Sequence, residues 1–309
     1  MRRVLVGISL VVVAVVLGPP AYYALFGGEG PSLPPPGKRV RLADGARLNV
    51  LDRGAGPVVV LVHGLPGSAY DWAPLMDQLV RRGLRVVAYD RKGYGYSDLR
   101  APGEASSYQA NARELLELLE ALDLRHVTVV GWSYGGGTAM VAASRDASRM
   151  AGVVLLASAG PLYRAEEPSL AMRVLLSGAV RGWVRRVPPV ARALVTQVSV
   201  TAFSGPPMPD WWVPQTLANL SRPGVSRTQR REERELRSEA LHPEAIGVPV
   251  LVIHGTRDRF VSFAQAEDLL RRCGPHAEML RVEGGSHMIA ITHSQLVAER
   301  IEAFSAAHP

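Results

Sequence analysis

The chain has 309 residues, 47% of them hydrophobic and 20% charged, with a net charge of +7. That balance supports a sizeable core and excludes wholesale disorder. A single cysteine, Cys273, excludes an internal disulfide, and neither it nor the eight histidines show a metal-ligand spacing, so no metal site is expected.

Arg2-Arg3 precede an uncharged run from Val4 to Leu17, and after Pro19-Pro20 the apolar character resumes through Tyr22, Tyr23 and Phe26. A positive start followed by such a run reads as a signal peptide or an uncleaved signal anchor over residues 1–26. The expectation is an exported catalytic part, secreted or periplasmic, or held at a membrane by a transmembrane N-terminus. Residues 27–37 are rich in Gly and Pro and read as a tether.

The globular part starts near Lys38. Lys38–Ala43 and Arg47–Asp52 flank Asp44-Gly45 and predict a hairpin. Val58–Val62 is a continuous apolar run, the pattern of a strand covered on both faces. A helix around Tyr70–Arg81, a strand at Arg85–Tyr89 and a leucine stripe over Asn111–Leu122 follow. A further strand covers Val153–Ala157. Strands alternating with helices predict a mainly parallel sheet. The alternation stops between Pro161 and Pro243, where apolar and basic stretches, prolines and Trp183, Trp211 and Trp212 accumulate, and it resumes at Val248. Core strands on both sides make this segment an insertion rather than a separate domain. Much of the positive charge lies in it without any nucleic-acid motif, so no nucleic-acid partner is expected.

Three stretches carry chemistry. Gly131-Trp132-Ser133-Tyr134-Gly135 follows the strand-like Val127–Val130 and precedes small residues. Strand, tight turn and helix push a serine hydroxyl outward and place it at a helix N-terminus. A lone serine needs a base, and the base needs an orienting group. Val250–Ile253 leads through His254 and Gly255 to Asp258, and Val282-Glu283-Gly284-Gly285-Ser286 leads to His287. Asp90, in Asp90-Arg91-Lys92-Gly93-Tyr94-Gly95-Tyr96-Ser97, is expected to be scaffold, as are His63 and His254.

The order Ser133, Asp258, His287 resembles the α/β-hydrolase superfamily, in its serine hydrolase (esterase or lipase-like) branch. The resemblance runs from about Arg39 to Phe304. It implies a mainly parallel eight-stranded sheet flanked by helices, with a core over 38–160 and 243–309 and a helical cap over 161–242. It also implies an oxyanion hole from the backbone N–H groups of Leu65, in His63-Gly64-Leu65-Pro66-Gly67-Ser68, and of Tyr134. Trp132, Met288, Trp211 and Trp212 are candidate substrate contacts, the last two also readable as cap core. The same loop, with Asp71-Trp72, resembles epoxide hydrolases and haloalkane dehalogenases, but those use an aspartate where Ser133 stands. The implied reaction is cofactor-free hydrolysis of a small carboxylic ester through an acyl-enzyme, with apolar acyl groups preferred. Carbon–carbon bond hydrolysis, perhydrolysis, peptide cleavage or ligand reception without turnover stay open on the same triad. Oligomeric state is not legible.

Overall fold

Strong β-formers in short runs, separated by helices, fold as the alternation predicts. The computed structural model describes residues 33–161, 188–235 and 240–309. Its sheet has eight strands: β1 (Lys38–Arg41), β2 (Arg47–Arg53), β3 (Val58–Val62), β4 (Arg85–Tyr89), β5 (Val127–Trp132), β6 (Met150–Leu156), β7 (Val250–Gly255) and β8 (Ala277–Val282). They lie in the order β1-β2-β4-β3-β5-β6-β7-β8. β2 pairs antiparallel with β1 and β4, and every other pairing is parallel. The β1–β2 turn is built as expected, with Gly45 at φ 88° and the Asp44 carboxylate accepting from Ala46 N at 3.0 Å.

Alternate residues of one strand serve opposite cores because side chains alternate across the sheet. Val60, Val62 and Val129 pack on one face with Leu115, Leu118, Leu119, Met140 and Leu269. Val59, Leu61 and Val130 pack on the other with Leu75, Leu79, Val297, Ile301 and Phe304. The first face is covered by α2 (Tyr108–Ala121), α3 (Tyr134–Arg145) and α7 (Phe263–Cys273). The second carries α1 (Ala73–Arg81), α9 (Ser294–Ala307) and the short α8 (Ile289–Thr292). The helix expected around Tyr70–Arg81 divides into a 3-10 turn, Ala69–Trp72, and α1, because Pro74 suits only a first helical turn. Between β6 and β7 sit α4 (Pro188–Phe203), α5 (Trp212–Ser221) and α6 (Val225–Glu235), the helical insertion. Residues 162–187 and 236–239 of the expected cap lie outside the described residues.

The membrane expectation is corrected. Among the described residues no helix is long and apolar enough to cross a membrane. The longest insertion helix among the described residues, α4, has 16 residues, where a span needs roughly 20. The signal anchor, the transmembrane segment and the membrane partner are therefore withdrawn. The uncharged run behind them is itself short and cut by Pro19-Pro20, and residues 1–26 lie outside the described residues. Residues 33–37 of the Gly/Pro stretch are tied to the fold by hydrogen bonds. Gly37 N donates to Asn49 Oδ1 at 2.7 Å, and Tyr70 OH donates to Pro35 O at 2.8 Å.

Candidate active site

Parallel strands point their C-terminal ends the same way, so loops distant in sequence meet along one edge. The loops after β3, β5, β7 and β8 carry Leu65, Ser133, Asp258 and His287. Ser133 joins β5 to α3 at φ 54° and ψ −118°, a backbone conformation that L residues rarely adopt. Such a setting costs about 1–3 kcal/mol and persists because its surroundings enforce it. Ser133 N donates to Leu156 O at 3.0 Å. A Cβ on Gly131 would stand 2.3 Å from Gly135 O, and one on Gly135 2.0 Å from Val62 O. Both glycines are therefore demanded by close backbone approach.

His287 Nδ1 donates to Asp258 Oδ2 at 2.8 Å. The other carboxylate oxygen accepts from Phe260 N at 2.8 Å and Val261 N at 2.9 Å. Burial alone would raise the Asp258 carboxyl, but His287, His254 and these hydrogen bonds outweigh it and hold the group below its ordinary range. Trp132 Nε1 donates to His287 O at 3.0 Å, and the Phe260 ring stands edge-on to the imidazole at 5.3 Å. Among the described residues Ser133 Oγ makes no hydrogen bond, so the Asp258–His287 pair is closed and the Ser133–His287 contact is open. Loose nucleophile–base geometry is common without substrate.

The histidines expected to be scaffold sit in fixed roles. His254 Nε2 donates to Val261 O at 2.8 Å and lies 3.4 Å from Asp258 Oδ2, bracing the turn that carries the acid. His63 Nδ1 donates to Gly64 O at 2.9 Å, and its Nε2 accepts from Arg91 N at 3.0 Å. Burial first, and the Arg91 charge second, depress its pKa well below the usual range, so it stays neutral. Asp90 is fully buried and accepts from Ala69 N, Tyr96 N and Asn49 Nδ2 at 2.7 to 2.8 Å. Gly64 passes close under the serine: a Cβ there would be 3.2 Å from Ser133 Cβ. The N–H groups of Leu65 and Tyr134 flank this point, and among the described residues neither has a protein acceptor.

Ser133 and His287 open into one cavity of about 420 Å³, a volume suited to a small organic ligand. Leucine and valine side chains of α4, with Trp132, Trp212 and Met288, make much of its wall. Trp211 is 36% exposed, packs against Trp212 at 5.8 Å, and does not line the cavity. Phe260, which lines the cavity, lay outside the sequence reading, and Asp71, which also lines it, entered that reading only beside Trp72 in the epoxide-hydrolase resemblance. Phe260 follows Asp258 in the same turn. Asp71 shares a Ser-x-x-Asp spacing with Ser68, a capping signal legible in the sequence. Ser68 N donates to Asp71 Oδ2, and Gln215 Nε2 of α5 to Asp71 Oδ1, both at 2.9 Å. Burial dominates over these bonds and pushes the carboxyl up to about 7. Asn219 of α5 adds a second link, donating to Gly67 O at 2.8 Å and accepting from Gly95 N at 3.0 Å.

Comparison with known proteins places this arrangement. A family model described as alpha/beta hydrolase fold matches residues 57–294. The chain is 28% identical to a non-heme chloroperoxidase of Streptomyces lividans, over 86% of this chain and 98% of that protein. It is 29% identical to a 2-hydroxy-6-oxononadienedioate/2-hydroxy-6-oxononatrienedioate hydrolase of Paraburkholderia xenovorans, over 81% and 92%. Among solved structures an esterase from Exiguobacterium antarcticum superposes with a TM-score of 0.70 at 23% identity, covering 87% of this chain and 99% of that one. Sheet order, inserted helices and family match agree: the chain belongs to the alpha/beta hydrolase family.

Proposed function

We propose that the protein transfers acyl groups from an uncharged, apolar carbonyl substrate through an acyl-enzyme on Ser133. The observation that carries this reading is the strained serine opening into one cavity with an imidazole already bonded to a buried carboxylate. Ser133 Oγ attacks the carbonyl carbon while His287 Nε2 takes its proton. Asp258 holds the imidazole in the tautomer that keeps Nε2 free and stabilises the imidazolium. The backbone N–H groups of Leu65 and Tyr134 receive the developing oxyanion, which supplies a large share of the rate enhancement. Collapse of the tetrahedral intermediate expels the leaving group, protonated by His287. The acceptor then loses a proton to His287, attacks the acyl carbon, and releases Ser133.

The acceptor separates two readings. Water gives ester hydrolysis, the simple expectation from the sequence. Hydrogen peroxide gives a peroxycarboxylic acid, and the chloroperoxidase relative favours that course, since its likeness runs nearly end to end. Carbon–carbon bond hydrolysis has a relative of its own. That relative's named substrates are dicarboxylates, whereas the described cavity lining contributes neither Lys nor Arg to pair with them. Unpaired carboxylates are costly to bury in an apolar cavity, so the first two readings are preferred.

The test is one panel on purified protein: p-nitrophenyl esters with and without hydrogen peroxide, matched arylamides, and a ring-fission dicarboxylate. Ester turnover with peracid formation supports the proposal. Turnover of the dicarboxylate above every ester moves the protein to carbon–carbon bond hydrolysis, and faster arylamide cleavage moves it to peptidases.

A further inference from the structure

We propose that Arg91, held by Glu232 of the helical insertion, is the residue that positions both backbone donors of the oxyanion hole. The inference rests on the acyl-transfer reading above.

Gly64 C=O and Leu65 N–H are the two ends of one planar trans peptide, so fixing the carbonyl fixes the direction of the N–H. Arg91 Nη2 donates to Gly64 O at 3.0 Å, and His63 Nδ1 donates to the same oxygen at 2.9 Å. Two donors on one carbonyl pin the peptide plane and leave Leu65 N–H aimed away from them. They also polarise the peptide, which strengthens the N–H as a donor.

The second donor is tied to the same cation. The Arg91 guanidinium lies 4.7 Å from the centre of the Tyr134 ring and 4.8 Å from that of Tyr94. Tyr134 OH accepts from Asn111 Nδ2 at 3.2 Å and donates to Ser106 O at 3.3 Å. The tyrosine is thereby held at both its ring and its hydroxyl, and its backbone N–H follows.

Glu232 closes the arrangement from α6. Its carboxylate pairs with Arg91, accepts from Tyr94 OH at 2.7 Å, and accepts from Asn111 Nδ2 at 3.0 Å. Both charged side chains are fully buried. Burial works against the Arg91 charge, and Glu232 more than compensates, so the guanidinium stays ionised. A buried ion pair adds little net stability over apolar residues of the same volume. The consequence of this one is local: it orients the backbone around Ser133 and makes that orientation depend on a docked insertion helix.

The test uses the full-length protein and two variants. Arg91→Lys keeps a charge but loses the fork that reaches Gly64 O and Glu232 together. Arg91→Met combined with Glu232→Leu removes the pair and leaves no unpaired buried charge. Each is compared with the parent for melting temperature, kcat, KM, and affinity for an aryl trifluoromethyl ketone, which mimics the oxyanion once Ser133 adds to it. Loss of a single oxyanion donor costs roughly 100- to 1,000-fold in kcat. A misaimed pair is expected to lose about 10- to 100-fold, with KM within about twofold and ketone affinity falling in step with kcat. A folded Arg91→Lys variant with undiminished kcat and ketone affinity overturns the proposal, and so does a folded double variant that behaves this way. A loss of kcat that tracks the fall in melting temperature while ketone affinity holds also overturns it, since the pair is then structural alone. A parent to which the ketone does not bind at Ser133 overturns the acyl-transfer reading instead, and the positioning role falls with it.

Discussion

At the residue scale, the strained backbone of Ser133 and the bonded pair Asp258–His287 lead to separate expectations. Ser133→Ala removes the proposed nucleophile and should lower turnover by about 10⁶-fold, by analogy with other serine triads, while circular dichroism stays unchanged. Asp258→Asn should lower kcat by about 10⁴-fold, because the amide favours the wrong imidazole tautomer; a value near the parent's would reassign the acid. Asp71 carries a pH signature. Its carboxyl is raised from 3.8 to about 7 in the folded protein, mainly by burial, with Ser68, Gln215 and the neighbouring Asp90 facing it. Between those two values the folded chain keeps a proton that the unfolded chain has lost. Stability should therefore fall as pH rises through that window, by up to about 4 kcal/mol. Asp71→Asn should flatten the slope of melting temperature between about pH 4.5 and 7. A slope that survives the substitution contradicts the assignment. The three proposed triad residues were legible because each sits in a short motif after a strand. Asp71 was legible only as a capping partner of Ser68 and beside Trp72, because its burial and its Gln215 partner come with the distant α5, and Glu232 becomes distinctive only once Arg91, Tyr94 and Asn111 surround it.

At the element scale, the register of β3, β5 and α3 decides whether the serine turn exists. Gly135→Ala would place a methyl group 2.0 Å from Val62 O, which α3 can relieve only by moving off the sheet. Overpacking of that kind costs about 3 kcal/mol or more, and a melting temperature within a degree or two of the parent's would show that the helix shifts freely. Most of the sheet was readable from apolar runs: Val58–Val62 and Arg85–Tyr89 have the expected bounds. The leucine stripe predicted at Asn111–Leu122 extends back to Tyr108, where Ser107 Oγ caps the helix by accepting from Ala110 N at 3.1 Å. The insertion was recognisable only as a break in the alternation. Its described helices are docked by scattered contacts, the polar Gln215, Asn219 and Glu232 with the apolar Ala202 and Phe203. For that reason the sequence assigned both tryptophans to one environment, while the structure separates Trp212 in the cavity wall from Trp211 in solvent.

At the scale of the whole molecule, one sheet with helices on both faces brings four loop ends to one edge, and the insertion supplies walls and pins. The cavity they enclose is apolar around its acidic members, so binding should grow with substrate hydrophobicity. Each buried methylene is worth about 0.8 kcal/mol, which corresponds to roughly fourfold in kcat/KM per carbon until the cavity is full. Carboxylate-bearing esters should fall below neutral esters of equal length, and a reversed order would contradict the electrostatic account of the cavity. The central claim is the acyl-enzyme on Ser133. It is tested most directly by mixing the protein with a p-nitrophenyl ester, quenching in acid within the steady state, and mapping acylated peptides by mass spectrometry. The account predicts an acyl adduct on the Ser133 peptide in the parent and none in Ser133→Ala; steady turnover with Ser133 unmodified, or the same adduct on another residue in both proteins, would contradict it.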